Sequence, residues 1–226
     1  MHNRFEDRQS AGRALAQKLQ KYKTTPDLLI IGLPRGGVVV AYEVAIALGA
    51  QLDVLVVRKL GAPYQPELAM GAIAEGGIVL LNDDVVNYLS IPREFIKKTV
   101  DEQLVELQRR EKLYRNGRNS PRVAERPVIV VDDGLATGAT MKVALRAVRR
   151  NKPSMLIAAV PVGAVSTCME LKEEADEVIC LLTPEPFYAV GNWFENFEQT
   201  TDLQVSQLLL NAYRRNSEQN RSSQQE

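Results

Sequence analysis

The sequence predicts an α/β protein: a mainly parallel, twisted sheet with helices packed on both faces. Two observations predict it. Short continuous apolar runs, the pattern of strands buried on both sides, alternate with helical segments. Several of these runs end in turns of glycine and other small residues, as strands of open parallel sheets do where they present ligand sites.

In chain order, Arg4 to Tyr22 reads as an amphipathic helix, with Leu15, Leu19 and Tyr22 at helical spacing. Leu28 to Ile31 is an apolar run, Gly32 to Gly37 a turn, and Val38 to Leu48 a helix that Gly49 ends. Leu52 to Val57 is the next strand, which closes a βαβ unit and makes the sheet parallel. Gly61 to Gln65 breaks the pattern, and Met70 to Ala74 with Ile78 to Leu81 read as a hairpin around Gly76 and Gly77. Pro92 to Arg115 is a long charged helix carrying Ile96, Val100, Leu104 and Leu107 on one stripe. After a loop to Pro127 the alternation resumes. Val128 to Val131, Met155 to Val160 and Val178 to Leu182 are strands; Gly138 to Arg150, Ala164 to Glu174 and Asp202 to Tyr213 are helices. One domain over 1–215 is expected, with insertions at about 61–126 and 184–200. The tail 216–226 has no apolar residue and is expected to be disordered.

The composition excludes several chemistries. The 226 residues include 28 Lys+Arg and 28 Asp+Glu, so the net charge is zero, and no global field draws the chain to nucleic acid or an anionic membrane. The single histidine is His2, beside Met1, which argues against a serine–histidine–aspartate hydrolase or a histidine metal site. Cys168 and Cys180 form no CxxC pair and read as reduced thiols. The first residues lack the apolar stretch of a signal peptide, and no run approaches ~20 apolar residues, so a cytoplasmic protein is expected.

Three strand ends carry unusual residues. Val131 runs into Asp132 and Asp133, then Gly134-Leu135-Ala136-Thr137-Gly138-Ala139-Thr140, then a helix. Small residues let the backbone approach a ligand, the helix start offers unpaired N–H groups, and Thr137 and Thr140 add hydroxyls: a loop suited to phosphate. The aspartates can accept from a diol or hold hydrated Mg²⁺. The second end is Leu33-Pro34-Arg35-Gly36-Gly37; the third is Arg58-Lys59. There is no Walker GK[ST] and no GxGxxG.

The run from Val128 to Thr140 resembles the PRPP-binding signature of type I phosphoribosyltransferases, and the order of elements agrees over nearly the whole chain. Gly134 departs from it, because the family has an aliphatic residue there; altered packing under the loop is expected, with the phosphate contacts unchanged. The resemblance implies a type I fold with a small hood and a long helical insertion. It further implies that Asp132 and Asp133 bind the ribose hydroxyls, that Ala136, Thr137, Gly138, Ala139 and Thr140 cradle the 5′-phosphate, and that Arg35, Gly36 and Gly37 form a pyrophosphate turn, often strained or cis. Arg58 and Lys59 resemble the basic pair before the family's mobile catalytic loop, here Gly61 to Glu67, with Glu67 or Asp133 as candidate base. Tyr188 or Trp193 would stack on a planar base, and Glu195 would assist Asp132 and Asp133 with a metal. Ala136 stands where hypoxanthine–guanine enzymes carry an acid, which disfavours a 6-oxopurine acceptor. The segments around Pro66-Glu67, Arg109-Arg110-Glu111 and Val190 to Trp193 are similar to a bacterial group of phosphoribosyltransferases whose acceptor is unassigned. The expected activity is Mg²⁺-dependent transfer of phosphoribosyl from PRPP to a small heterocyclic base, a salvage-like reaction. A PRPP sensor is the alternative, and the long helix could pack against a second copy in a homodimer.

Overall fold

The computed structural model describes residues 4–222; His2 and the end of the tail, 223–226, lie outside them. Five strands form the main sheet: β1 (Leu29–Gly32), β2 (Gln51–Val54), β6 (Pro127–Val131), β7 (Met155–Val162) and β8 (Glu177–Leu182). Their order is β2-β1-β6-β7-β8, and every pairing is parallel. The chain leaves β1 toward one edge and returns at β6 to run toward the other, so the topological switch point falls between β1 and β6. That crevice is where open α/β sheets place ligands.

Successive residues of each apolar run face opposite sides, and both sides are covered. Ile30, Ile129, Val131, Ile157 and Ala159 belong to one core, with helices α1 (Arg8–Lys18), α2 (Gly36–Leu48), α4 (Arg93–Arg115) and α7 (Asp202–Ser222). Leu29, Ile31, Val128, Val130, Leu156 and Ala158 belong to a second core, with α5 (Ala139–Arg150) and α6 (Val165–Glu170). This is why the strands carry no polar alternation. Gly49 ends α2 in the left-handed region, at φ 66, as a C-terminal glycine should.

The second expected strand divides. After Val54 the chain leaves the main sheet, and β3 (Val57–Ala62) pairs antiparallel with β4 (Gln65–Ala74), which pairs with β5 (Ile78–Leu81). The break expected at Gly61 to Gln65 is therefore the bulged tip of a hairpin, with Tyr64 at φ 59 and fully exposed. A short helix α3 (Asp83–Tyr88), which no periodicity announced, is capped by the Asn82 side chain accepting from the Val85 N–H at 3.3 Å. The tail expectation is corrected: α7 continues past Tyr213 to Ser222. Asn216 donates to the Ala50 carbonyl, and the Ser217 hydroxyl to that of Tyr213, so this polar stretch is held without apolar side chains. Among the described residues no helix is long and apolar enough to cross a membrane.

A buried charge network joins the two sheets through α4. The Arg115 guanidinium forks onto Glu75 at 2.7 and 2.8 Å, reaches Asp53 at 3.1 Å and donates to the Val54 carbonyl at 2.7 Å. One turn earlier, Glu111 has a buried Oε1 with no hydrogen-bond partner among the described residues. Burial first and the Glu75 charge second push its carboxyl up to about 7, against the pull of Arg115. A carboxyl whose folded pKa lies above its usual value costs no stability at low pH, then loses stability as pH rises through that interval. Wild-type stability should therefore fall between pH about 4.5 and about 7 from this group. Glu111→Gln should remove that slope. Because the group is only partly buried and solvent screens it, the gain at pH 8 should be about 1 kcal/mol. Urea unfolding at pH 5 and pH 8 checks this; an equal effect at both pH values contradicts it.

Candidate phosphate and ribose site at the switch point

The site is assembled by the parallel register of β1 and β6, which sets Gly32 beside Val131. The two strands end level, and the Leu33 N–H extends the ladder to the Val131 carbonyl at 2.9 Å. The turn after β1 therefore lies directly on Asp132 and Asp133. A Cβ on Gly36 would overlap Asp133 Oδ2, and one on Gly37 would come within 2.7 Å of Asp132 Oδ1. Only glycine fits this approach. The Pro34–Arg35 peptide in the same turn is cis, the geometry that the resemblance implied.

The loop after β6 has the features expected of an anion cradle. The N–H groups of Ala136, Thr137 and Gly138 have no protein acceptor among the described residues. Ala136, Thr137, Ala139 and Thr140 are exposed. Gly138, at φ 68, turns the chain into α5, whose N-terminus adds a partial positive charge. From beneath, Thr167 of α6 donates its hydroxyl to the Ala136 carbonyl at 2.7 Å and holds the loop in place.

Asp132 and Asp133 are crowded. Asp132 Oδ1 accepts the Asp133 N–H at 2.9 Å, and Asp133 Oδ2 accepts from Arg8 Nε at 2.7 Å. Burial, together with the Asp133 charge, raises the Asp132 carboxyl well above the usual range. Burial also raises Asp133, and the Arg8 guanidinium opposes that rise. Arg8 is itself fixed: it donates to the Glu198 carbonyl at 2.7 Å and lies 3.8 Å over the Phe197 ring. Sequence reading missed Arg8, because its partners are far away in the chain and its own surroundings read as an ordinary helix start.

The cations divide. Arg58 and Lys59 are consecutive on β3, so they point to opposite sides of the hairpin. Arg58 turns toward α4 and donates to Gln103 Oε1 at 2.7 and 3.0 Å; burial first and the neighbouring Arg110 second lower its pKa. Lys59 pairs with the exposed Glu67 across the hairpin at 3.0 Å, and neither touches the aspartates. Arg35 lies 3.9 Å from Asp202, which also accepts from the Tyr114 hydroxyl at 2.6 Å and lies 4.0 Å from Arg109. Arg109 and Arg110 both hold Glu106, at 2.7 and 2.8 Å, and keep its carboxyl down at about 2. Arg35, Arg109 and Arg110 thus share the Asp202 and Glu106 carboxylates along one face of α4, with Arg58 beside them. The spacing Gln103, Glu106, Arg110, Tyr114 was the signal that could have revealed that face.

The segment after β8 covers the site from the other side. Phe5 bridges to Phe194, and the Phe5 N–H donates to the Trp193 carbonyl at 2.9 Å. Trp193 packs into a small cluster with Phe187 and Val190, whereas Tyr188 is 81% exposed. Glu195 is exposed in this segment, and among the described residues no three His, Cys, Asp or Glu side chains converge on one metal position. A Cβ on Gly134 would lie 2.5 Å from Val190, so the departure from the family pattern makes room for the covering segment.

The fold defines a class, an open α/β protein whose small-residue loop and acid pair meet at the switch point. Residues 4–88 and 67–188 match the model of the phosphoribosyl transferase domain, and the chain belongs to that family. It is 47% identical over 210 residues to proteins from two Mycobacterium tuberculosis strains, CDC 1551 / Oshkosh and H37Rv, that are provisionally named phosphoribosyl transferases. That match covers 93% of this chain and 47% of theirs, so the chain spans about half the length of those relatives. The crystal structure of TT1426 from Thermus thermophilus is 41% identical, with a TM-score of 0.79, over 92% of this chain and 98% of that one.

Gly134→Ile should push Val190 and the covering segment outward and cost about 1–3 kcal/mol. Adding Val190→Ala should recover most of that loss. Thermal melts of the single and double variants check it; additive losses would mean that the two residues do not meet.

Proposed function

We propose that the chain transfers the 5-phosphoribosyl group of PRPP to a nucleobase or similar N-heterocycle and releases pyrophosphate. The observation that carries the reading is the contact of the glycine turn with Asp132 and Asp133 beside a loop of unpaired amides. Asp132 and Asp133 would accept hydrogen bonds from the ribose hydroxyls, with Arg8 fixing the orientation of Asp133. Ala136 to Thr140 would hold the 5′-phosphate. Arg35 and Arg58 would face the pyrophosphate and stabilise its charge as the C1′–oxygen bond breaks and the acceptor nitrogen bonds to C1′. The hairpin tip, Gly61 to Glu67, would close over PRPP, carrying Lys59 and Glu67 inward and excluding water. Tyr188 is the exposed ring available to a planar acceptor.

The aspartates fit Mg²⁺ in one respect. Asp132 Oδ2 and Asp133 Oδ1 have no protein donor among the described residues, and Mg²⁺ takes one or two carboxylates with substrate phosphates and water in preference to an all-protein cage. Held there, the ion would neutralise charge on the leaving pyrophosphate.

The test incubates the protein with PRPP, Mg²⁺ and a panel of bases and follows pyrophosphate release. Base-dependent release is expected, with Asp133→Asn and Arg58→Ala each slowing it by roughly 10²-fold or more. PRPP binding without turnover on any base would favour a sensor. Full activity in both variants would overturn the assignments.

A further inference from the structure

At the amino ends of β1 and β2, opposite the switch point, lies a cavity of about 420 Å³. This is within the range of roughly 300–1,000 Å³ typical of small-molecule sites. Its walls are polar and cationic: Lys23, Arg118 and Arg126, with Asn119, Asn216 and Ser217. We propose that it is a second ligand site, taking a small phosphate-bearing molecule.

The cations here lack the partners that others have. Elsewhere in the chain, Lys21, Arg146 and Arg149 each have a carboxylate within 4 Å. Lys23, Arg118 and Arg126 have none among the described residues. Instead, backbone carbonyls hold the two guanidinium groups. Arg118 donates to Arg115 at 2.8 Å and to Leu209 at 3.4 Å; Arg126 donates to Asp27 at 2.9 Å and to Arg122 at 3.1 Å. Those bonds orient each fork and leave one terminal nitrogen of each, Nη2, without an acceptor among the described residues. The Arg126 charge is also partly buried, and burial lowers its pKa with only the nearby Asp27 to offset it. A half-buried guanidinium without a counter-ion is what a bound anion would stabilise.

The carboxylates of the walls do not cancel this charge. Asp53 is engaged by Arg115, and Asp27 leaves Lys23, Arg118 and Arg126 in excess. Asn119, Asn216 and Ser217 supply neutral donors for the remainder of the ligand. The Tyr213 ring, with the Arg118 guanidinium 4.8 Å from its centroid, offers a planar face. Nothing in the proposed transfer uses any of these residues.

Titration calorimetry of the whole chain with inorganic phosphate, ribose 5-phosphate and AMP tests the site, comparing wild type with Lys23→Glu and with Lys23→Ala/Arg118→Gln. Lys23 is exposed, so its reversal leaves the core untouched. One binding event should weaken by about tenfold or more in both variants, as expected for one lost charge-assisted contact. Equal affinity for all three probes identifies the phosphate group itself as the ligand; tighter binding of the esters identifies a phosphate ester. If no binding event for any probe changes in either variant, the proposal is overturned, whatever the outcome of the transfer assay.

Discussion

Two carboxylates on consecutive residues at the end of a buried strand set the terms for everything around them. Burial favours protonation of both Asp132 and Asp133, and the Asp133 charge adds to it at Asp132. The surrounding structure opposes this from three sides: the Arg8 Nε–H on Asp133, the chain's own N–H at Asp133, and the starts of α2 and α5 with their partial positive charges. The glycines of the first turn are needed because no side chain fits between α2 and these carboxylates. The parallel register of β1 and β6 is what brings them there.

A net charge of zero conceals how sharply charge is sorted. Guanidinium groups outnumber carboxylates along the face of α4 that meets Arg35 and Arg58, and acids gather where Arg115 closes the two sheets. The long insertion thus does two jobs. Its apolar stripe, ending at the fully buried Leu107 and Tyr114, supports the three-stranded sheet, and its polar face holds Arg58 through Gln103 and meets Asp202 beside Arg35. A helix docked through burial on one side can carry costly charge crowding on the other.

The strands, their parallel direction and the small-residue loop after β6 were legible because each depends on neighbours in sequence: apolar runs, small residues, a capping glycine. The pair Arg58-Lys59 shows the limit. Adjacent in sequence, the two residues read as one cationic feature, yet strand geometry sends them to opposite faces. Arg8 and Thr167 were illegible for another reason, since each acts on a group contributed by a distant segment and a local pattern holds no trace of that. Tail helicity was misread because polar composition says nothing about bonds such as that from Asn216 to Ala50. Gly134 lay between these cases. Its oddity was visible, and its cause, Val190, was not.

The bridge made by Arg8 has a consequence for how the molecule is built. Its bond to Asp133 spans 125 positions, and its bond to the Glu198 carbonyl spans 190. Contacts of that separation carry the largest loop-closure cost and belong to the late part of folding. On the ribosome, the helix that carries Arg8 must wait for Asp133 to deliver the acid and for the Glu198 segment to deliver the clamp. A nascent chain can therefore hold most of its sheet while its acid pair still lacks a counter-ion. Closure of the Arg8 bridge would then report folding through Glu198, and helix content alone would not.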